Sequence, residues 1–148
     1  QKEWLLLEQK KLPLSLIIFD VDYFKKYNDH YGHQAGDYCL MKISKACKKV
    51  VNKPTDLLAR YGGEEFVVIL PNSTQEEVVK IAEKLNHSVF NLSIAHEKSD
   101  VSEFVTISLG ISTLIPSDKQ APSELLALAD KALYESKHKG RNCFSIAK

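Results

Sequence analysis

Cysteine is scarce in this 148-residue chain, and the three present, Cys39, Cys47 and Cys143, make no pattern. An odd number of widely spaced cysteines fits neither a disulfide framework nor a zinc site. They are expected to be reduced thiols in a cytoplasmic setting. Net charge is scarce too: 20 Lys and Arg against 19 Asp and Glu leave +1. A domain that grips nucleic acid through its phosphates needs a basic excess, so that class is set aside, while a local cationic pocket is still allowed. No apolar run reaches the roughly 20 residues of a membrane helix, and no secretory signal pattern is visible. Repeats, linkers and low-complexity segments are absent. What is present is a 44% hydrophobic composition, enough for one domain to bury a core without a covalent staple. The chain begins with Gln1 rather than Met, so the expectation is a single domain over 1–148, excised from a longer multidomain protein.

Punctuation by proline and glycine divides the chain. Lys2 to Lys11 reads as the end of a helix, broken by Pro13. Leu14 to Phe19 is short, apolar and β-branched, which favours a buried strand. Tyr23 to His30 reads as a short helix stopping at Gly32. A longer one follows from Ala35 to Val51, where Leu40, Ile43, Cys47 and Val50 recur at helical spacing. Leu57 to Tyr61 and Phe66 to Leu70 flank Gly62-Gly63, the signal of a tight hairpin. Thr74 with Glu77 predicts a capping box opening a helix to about Leu92. Phe104 to Thr113 reads as a strand, Pro122 to Lys137 as an amphipathic helix ended near Gly140, and Cys143 to Ala147 as a last strand. Helices gathered on a mainly antiparallel sheet make this an α+β domain.

Four clusters could carry chemistry, and each has a plain alternative. Asp20 and Asp22 end an apolar strand, which suits a hard cation such as Mg2+, but equally strand-end solvation or helix capping. Glu64 and Glu65 follow a glycine turn that would let a ligand approach the backbone, or simply form a polar hairpin tip. Asn28 and Asp37, with Lys25 nearby, could read a purine edge: guanine offers the N1–H and N2–H2 donors together, and adenine does not. Both residues could instead cap helices. Lys137, Lys139 and Arg141 could clamp phosphate oxygens, or complement a helix C-terminus.

Taken together and in order, these segments resemble the GGDEF family, the diguanylate cyclases. The resemblance runs from about Glu3 to Phe144. It rests on Asp20-Val21-Asp22-Tyr23-Phe24-Lys25-Lys26-Tyr27-Asn28-Asp29, then Tyr31-Gly32-His33 and Gly36-Asp37. Ala59-Arg60-Tyr61-Gly62-Gly63-Glu64-Glu65-Phe66 and Val105-Thr106-Ile107-Ser108-Leu109-Gly110 follow. Ala129-Asp130-Lys131-Ala132-Leu133-Tyr134, with Lys137, Gly140, Arg141 and Asn142, completes it. The resemblance implies an adenylyl-cyclase-like, ferredoxin-like five-stranded sheet flanked by helices. It implies that Asp20 and Glu64 are catalytic and hold metal together with the Val21 carbonyl. It places two Mg2+ (or Mn2+) ions in each GTP half-site. Asn28 and Asp37 would bind guanine. Lys25, Lys137 and Arg141, with backbone N–H groups near Tyr23 and Phe24, would bind phosphate. Glu64 would also help activate the attacking hydroxyl. Asp22 matches no principal ligand. The activity implied is condensation of two GTP into cyclic di-GMP across an antiparallel homodimer.

Two departures accompany the resemblance. The family's Asp-x-Leu-Thr-x-Leu-x-Asn-Arg segment, which precedes the first helix, lies before this chain's start, so an upstream sensory or dimerising region is expected. The family's Arg-x-x-Asp inhibitory site reads Lys53-Pro54-Thr55-Asp56 here, and no inhibitory site is expected. Lysine keeps the charge but loses arginine's planar fork. The alternative reading is a catalytically silent GGDEF-like module that binds GTP or a protein partner. A cyclase with a mononucleotide product is a further rival. No nucleic-acid partner and no membrane segment within the chain are expected.

Overall fold

Leu14–Val21 is buried along its whole length, because it is the centre of a sheet with both faces covered. The computed structural model describes residues 2–148, with side chains from Trp4 onward. Its elements are α1 (Lys2–Lys10), β1 (Leu14–Val21), α2 (Phe24–Tyr31), α3 (His33–Val50), β2 (Leu57–Gly62), β3 (Glu65–Pro71), α4 (Gln75–Phe90), β4 (Ile107–Leu114), α5 (Pro122–His138) and β5 (Phe144–Ile146). The strand order is β2-β3-β1-β4-β5. All pairings are antiparallel except β4 with β5. The α+β architecture expected from the sequence is the one observed, as a mixed sheet that is mainly antiparallel.

Side chains of β1 alternate between two cores, as a period of two requires. Ile17, Phe19 and Val21 join Cys39, Ile43, Val78, Ala82 and Leu85 on the face covered by α3 and α4. Leu14, Leu16 and Ile18 join Trp4, Leu7, Leu125, Ala129 and Leu133 on the face covered by α1 and α5. Asp20 continues this second row, so its carboxylate points to the α5 side. Cys39 and Cys47 are buried in the first core, where burial pushes their thiols up to about 11 and about 12. They act there as small apolar side chains.

Helix α5 lies close on β4 because residue 110 is glycine. A Cβ there would come within 2.2 Å of the Ala129 carbonyl oxygen and 2.3 Å of the Leu133 nitrogen. Serines reinforce the seam: Ser112 Oγ donates to the Leu125 carbonyl, and Ser136 Oγ to the Leu109 carbonyl. The capping box of α4 forms as expected, with Thr74 Oγ1 accepting from Glu77 N and Glu77 Oε1 from Thr74 N.

Several boundaries shift from the sequence expectation. Helix α3 starts at His33 rather than Ala35, directly after Gly32 at φ 96°. Strand β4 starts at Ile107, not Phe104. Its partner β1 ends at Val21, where Tyr23 turns left-handed at φ 54°. Phe104 pairs instead with Ala95 in an isolated bridge. The 93–106 segment therefore leaves the sheet and lies against α2, tied by Lys26–Asp100 at 2.9 Å and Tyr31 Oη accepting from Glu97 N at 3.0 Å.

Candidate active site

The site grows from the end of β1. Asp20 is buried. Its Oδ2 pairs with Lys137 Nζ of α5 at 2.5 Å, while its Oδ1 is buried without a partner. Burial pushes the Asp20 carboxyl up to about 6, Lys137 opposes the rise, and the nearby Asp22 and Glu64 charges add to it. A carboxylate with one paired oxygen and one unpaired, surrounded by other carboxylates, suits a second cation. The β2–β3 hairpin supplies the next group. Gly63 takes φ 49°, Arg60 Nε donates to the Gly63 carbonyl at 2.7 Å, and Val21 N donates to the Glu64 carbonyl at 3.3 Å. The hairpin turn thus lies against the end of β1, and Asp20 registers with Glu65. The structure brings Asp20, Val21 and Glu64 together at this end of β1.

Asp22 behaves oppositely to Asp20. It is 1% exposed and fully engaged. Its Oδ1 accepts from Ser108 Oγ at 2.5 Å, and its Oδ2 from Thr106 Oγ1 at 2.7 Å and Asn142 N at 3.0 Å. The two aspartates of the Asp-x-Asp pair are therefore distinguished by what is left open on each.

The residues that the resemblance assigns to phosphate and base lie on α2, on α3 and around the end of α5. Tyr23, left-handed, precedes α2, whose first N–H groups have no carbonyl of their own turn to bond. The Arg141 guanidinium lies 4.5 Å from the Tyr23 ring centre. Lys25 stands exposed on the first turn of α2, beside Phe24. Asn28, also on α2, packs against α3: a Cβ at Gly36 would fall 1.7 Å from Asn28 Oδ1. That oxygen is buried and unpartnered, and Asp37, next in sequence to Gly36, is exposed. Lys139 is exposed at the C-cap of α5 and is not drawn in.

The Lys53–Asp56 loop lies apart, between α3 and β2. Asp56 N closes a turn on the Lys53 carbonyl at 3.0 Å. Burial raises the Asp56 carboxyl, while Lys53 opposes and Glu77 adds to the rise.

His96 was not singled out from the sequence, and a lone histidine in a polar segment gives no periodic signal. It is fully buried against α2. Its Nε2 lies 3.0 Å from the Tyr23 carbonyl, and its ring meets Tyr27 edge-on. Burial lowers its pKa below 6.5, against the opposing effect of its backbone hydrogen bonds. The folded state therefore binds the proton less readily than the unfolded chain. The stability His96 contributes is present above pH 6.5 and is lost as pH falls through its lower folded value. Asp20 has the opposite sign, favouring the folded state as pH falls from 6 towards 3.8. Denaturation midpoints from pH 7.5 to 5.5 should therefore fall more steeply for the parent chain than for His96→Gln, in which Asp20 is unchanged. Equal slopes would show that His96 is not held neutral.

Comparison with known proteins gives this geometry its relatives. The sequence matches the family described as "Diguanylate cyclase, GGDEF domain" over residues 1–143. The chain belongs to the GGDEF family. It is 41% identical over 140 residues to Diguanylate cyclase A of Treponema denticola, covering 95% of this chain and 37% of that protein. It is 38% identical over 132 residues to the response regulator PleD of Caulobacter vibrioides, covering 88% of this chain and 28% of that protein. The chain thus spans between about a quarter and two fifths of the length of these relatives. Among solved structures, the GGDEF domain of DgcB from Caulobacter crescentus, determined with c-di-GMP, superposes with a TM-score of 0.87 at 29% identity, covering 98% of this chain and 84% of that one. The active GGEEF domain of a diguanylate cyclase from Vibrio cholerae superposes at 0.83 with 28% identity, covering all of this chain and 91% of that one.

Among the described residues no group of three His, Cys, Asp or Glu side chains gathers for a metal. That is compatible with Mg2+, which commonly takes one or two protein carboxylates and fills its shell with water and substrate phosphate. The unpartnered Asp20 Oδ1, with Glu64 alongside, fits such an ion. No described helix is long and apolar enough to cross a membrane.

Proposed function

We propose that this domain condenses two GTP molecules into cyclic di-GMP, releasing two pyrophosphates, with two copies of the chain facing each other antiparallel. The observation that carries the reading is the open Asp20 oxygen beside the Glu64 turn, its other oxygen held by Lys137. Asp20, Glu64 and the Val21 carbonyl would hold Mg2+ or Mn2+, two ions per half-site. Bound there, the ions would supply Lewis-acid stabilisation of charge on the α-phosphoryl group.

The protein's own groups do the rest. Lys25, Lys137, Arg141 and the backbone N–H groups at Tyr23 and Phe24 hold the triphosphate. Asn28 and Asp37 hold guanine, with the Asp37 carboxylate accepting from N1–H and N2–H2. Each half-site presents one GTP, and the 3′-hydroxyl of one nucleotide attacks the α-phosphorus of the other. An O–P bond forms, the bond to pyrophosphate breaks, and the hydroxyl proton passes towards Glu64. The same step in the opposite sense closes the ring. In-line alignment of the two nucleotides supplies much of the acceleration.

The test is to incubate the chain with GTP and Mg2+, identify the product and follow the rate per chain against protein concentration. Cyclic di-GMP should form, at a specific rate that rises with concentration. GTP bound without turnover would favour the silent module, and turnover by a proven monomer would contradict the paired half-sites. In the same assay, added micromolar cyclic di-GMP should leave the initial rate unchanged, because Lys53 does not replace the arginine fork.

Base choice gives a second expectation. Asp37→Ala should weaken GTP binding by about 1–3 kcal/mol, since guanine donors lose their acceptor. ATP binding should barely change. Equal losses for both nucleotides in calorimetry would remove Asp37 from the base site.

A further inference from the structure

We infer that Asp22 is a positioning residue that sets the phosphate clamp, acting through the backbone of the Arg141 loop and not through the metal. The inference rests on the proposed GTP reading, but its observations are independent of it. Arg141 and Asn142 are consecutive non-glycine residues with left-handed backbones, at φ 68° and φ 49°. That conformation is disfavoured for arginine and better tolerated by asparagine, and two such residues in a row need something to hold the turn.

Three bonds hold it. Arg141 N donates to the Ser136 carbonyl at 3.0 Å, which closes the end of α5. Asn86 Nδ2, from α4, donates to Asn142 Oδ1 at 3.1 Å and also lies 3.3 Å from the Ile107 carbonyl. Asn142 N donates to Asp22 Oδ2 at 3.0 Å, linking residues 120 positions apart. Asp22 is itself fixed by Ser108, by Thr106, and by its own N–H donating to the Thr106 carbonyl at 2.9 Å. Both oxygens of this buried carboxylate already accept hydrogen bonds, whereas Asp20 leaves one oxygen without a partner. A carboxylate acceptor also makes a stronger bond to a backbone N–H than a neutral one does. The result is a rigid link from the strand carrying Asp20 to the loop carrying Arg141, whose guanidinium is laid over Tyr23.

Asp22→Asn tests this with little change of shape. Its one remaining oxygen can still face Asn142 N and Thr106, and its amide can donate to the Ser108 hydroxyl once that rotates. The Asn142 amide should lose protection from hydrogen exchange, a readout that needs no turnover. Half-saturation by GTP should rise about tenfold, the equivalent of one weakened hydrogen bond. The maximal rate and the half-saturating Mg2+ concentration should stay within about twofold, on the scale where a factor of ten is one such bond. Arg141→Ala should cost much less in the Asp22→Asn background than alone, because the clamp is already loosened. Unchanged exchange at Asn142, or a raised Mg2+ requirement with the full Arg141→Ala effect retained, would overturn the inference. Should Asp22→Asn fail to fold, Asn86→Ala removes the second anchor and should raise GTP half-saturation in the same non-additive way. Additive behaviour there would also overturn it. If the parent chain bound no GTP, the GTP reading would fail, while the exchange measurement would still report on the anchor.

Discussion

Glu64→Gln is expected to leave a folded domain whose turnover of GTP is at least ~10²-fold lower, the scale of losing a key electrostatic stabiliser. The fold does not depend on this charge. Glu64 is only half-buried, at a turn beyond the end of β1. The ion pairs among the described residues, Lys26–Asp100, His30–Glu97 and Lys137–Asp20, do not include it. Its negative charge raises the Asp20 carboxyl, so neutralising it relieves repulsion and should not lower stability in the absence of metal. Stability and activity should therefore separate. The thermal midpoint without metal should hold or rise, while the rate at saturating GTP and Mg2+ collapses. A folded Glu64→Gln protein with near-normal turnover would remove Glu64 from the catalytic set.

Gly110→Ala is expected to cost about 3 kcal/mol of stability, the upper end of the usual penalty for overpacking. The atoms a new methyl would meet are backbone atoms of α5, so no flexible side-chain end can give way. Helix α5 would have to lift off β4, taking Lys137 away from Asp20. Gly62→Ala is the natural control: nothing lies within 4 Å of its added Cβ and its φ is not positive. Urea denaturation of the two variants should separate them clearly. Equal midpoints would mean that the α5 seam yields more readily than its geometry indicates.

The readable parts of this sequence share a physical cause. β1 was legible because a strand buried on both faces must be continuously apolar, and Leu14 to Phe19 is. The capping box of α4 was legible because its chemistry is local, confined to Thr74 and Glu77. Asp20 and Glu64 stood out as carboxylates at a strand end and a glycine turn, and the register of β1 with β3 brings those two places together. Asp22 was not assignable, because its partners lie 84, 86 and 120 positions away and nothing local distinguishes it from Asp20. The start of β4 was misplaced for a related reason. Phe104 to Thr106 carries strand-like residues, but β1 has already turned away at Tyr23 and offers only the Asp22 N–H. His96 shows its role only once the 93–106 segment is folded over α2.

The unequal burial of the cysteines has a practical consequence. At neutral pH the thiols of Cys39 and Cys47 are both inaccessible and protonated, and a thiolate is what a maleimide attacks. Cys143 is partly exposed, directly after Asn142. A fluorophore or spin label offered to the unmodified protein should therefore attach at Cys143 alone, at the edge of the loop that carries Arg141. The chain provides its own spectroscopic handle for watching that loop when GTP is added, with no engineered cysteine and no background to remove.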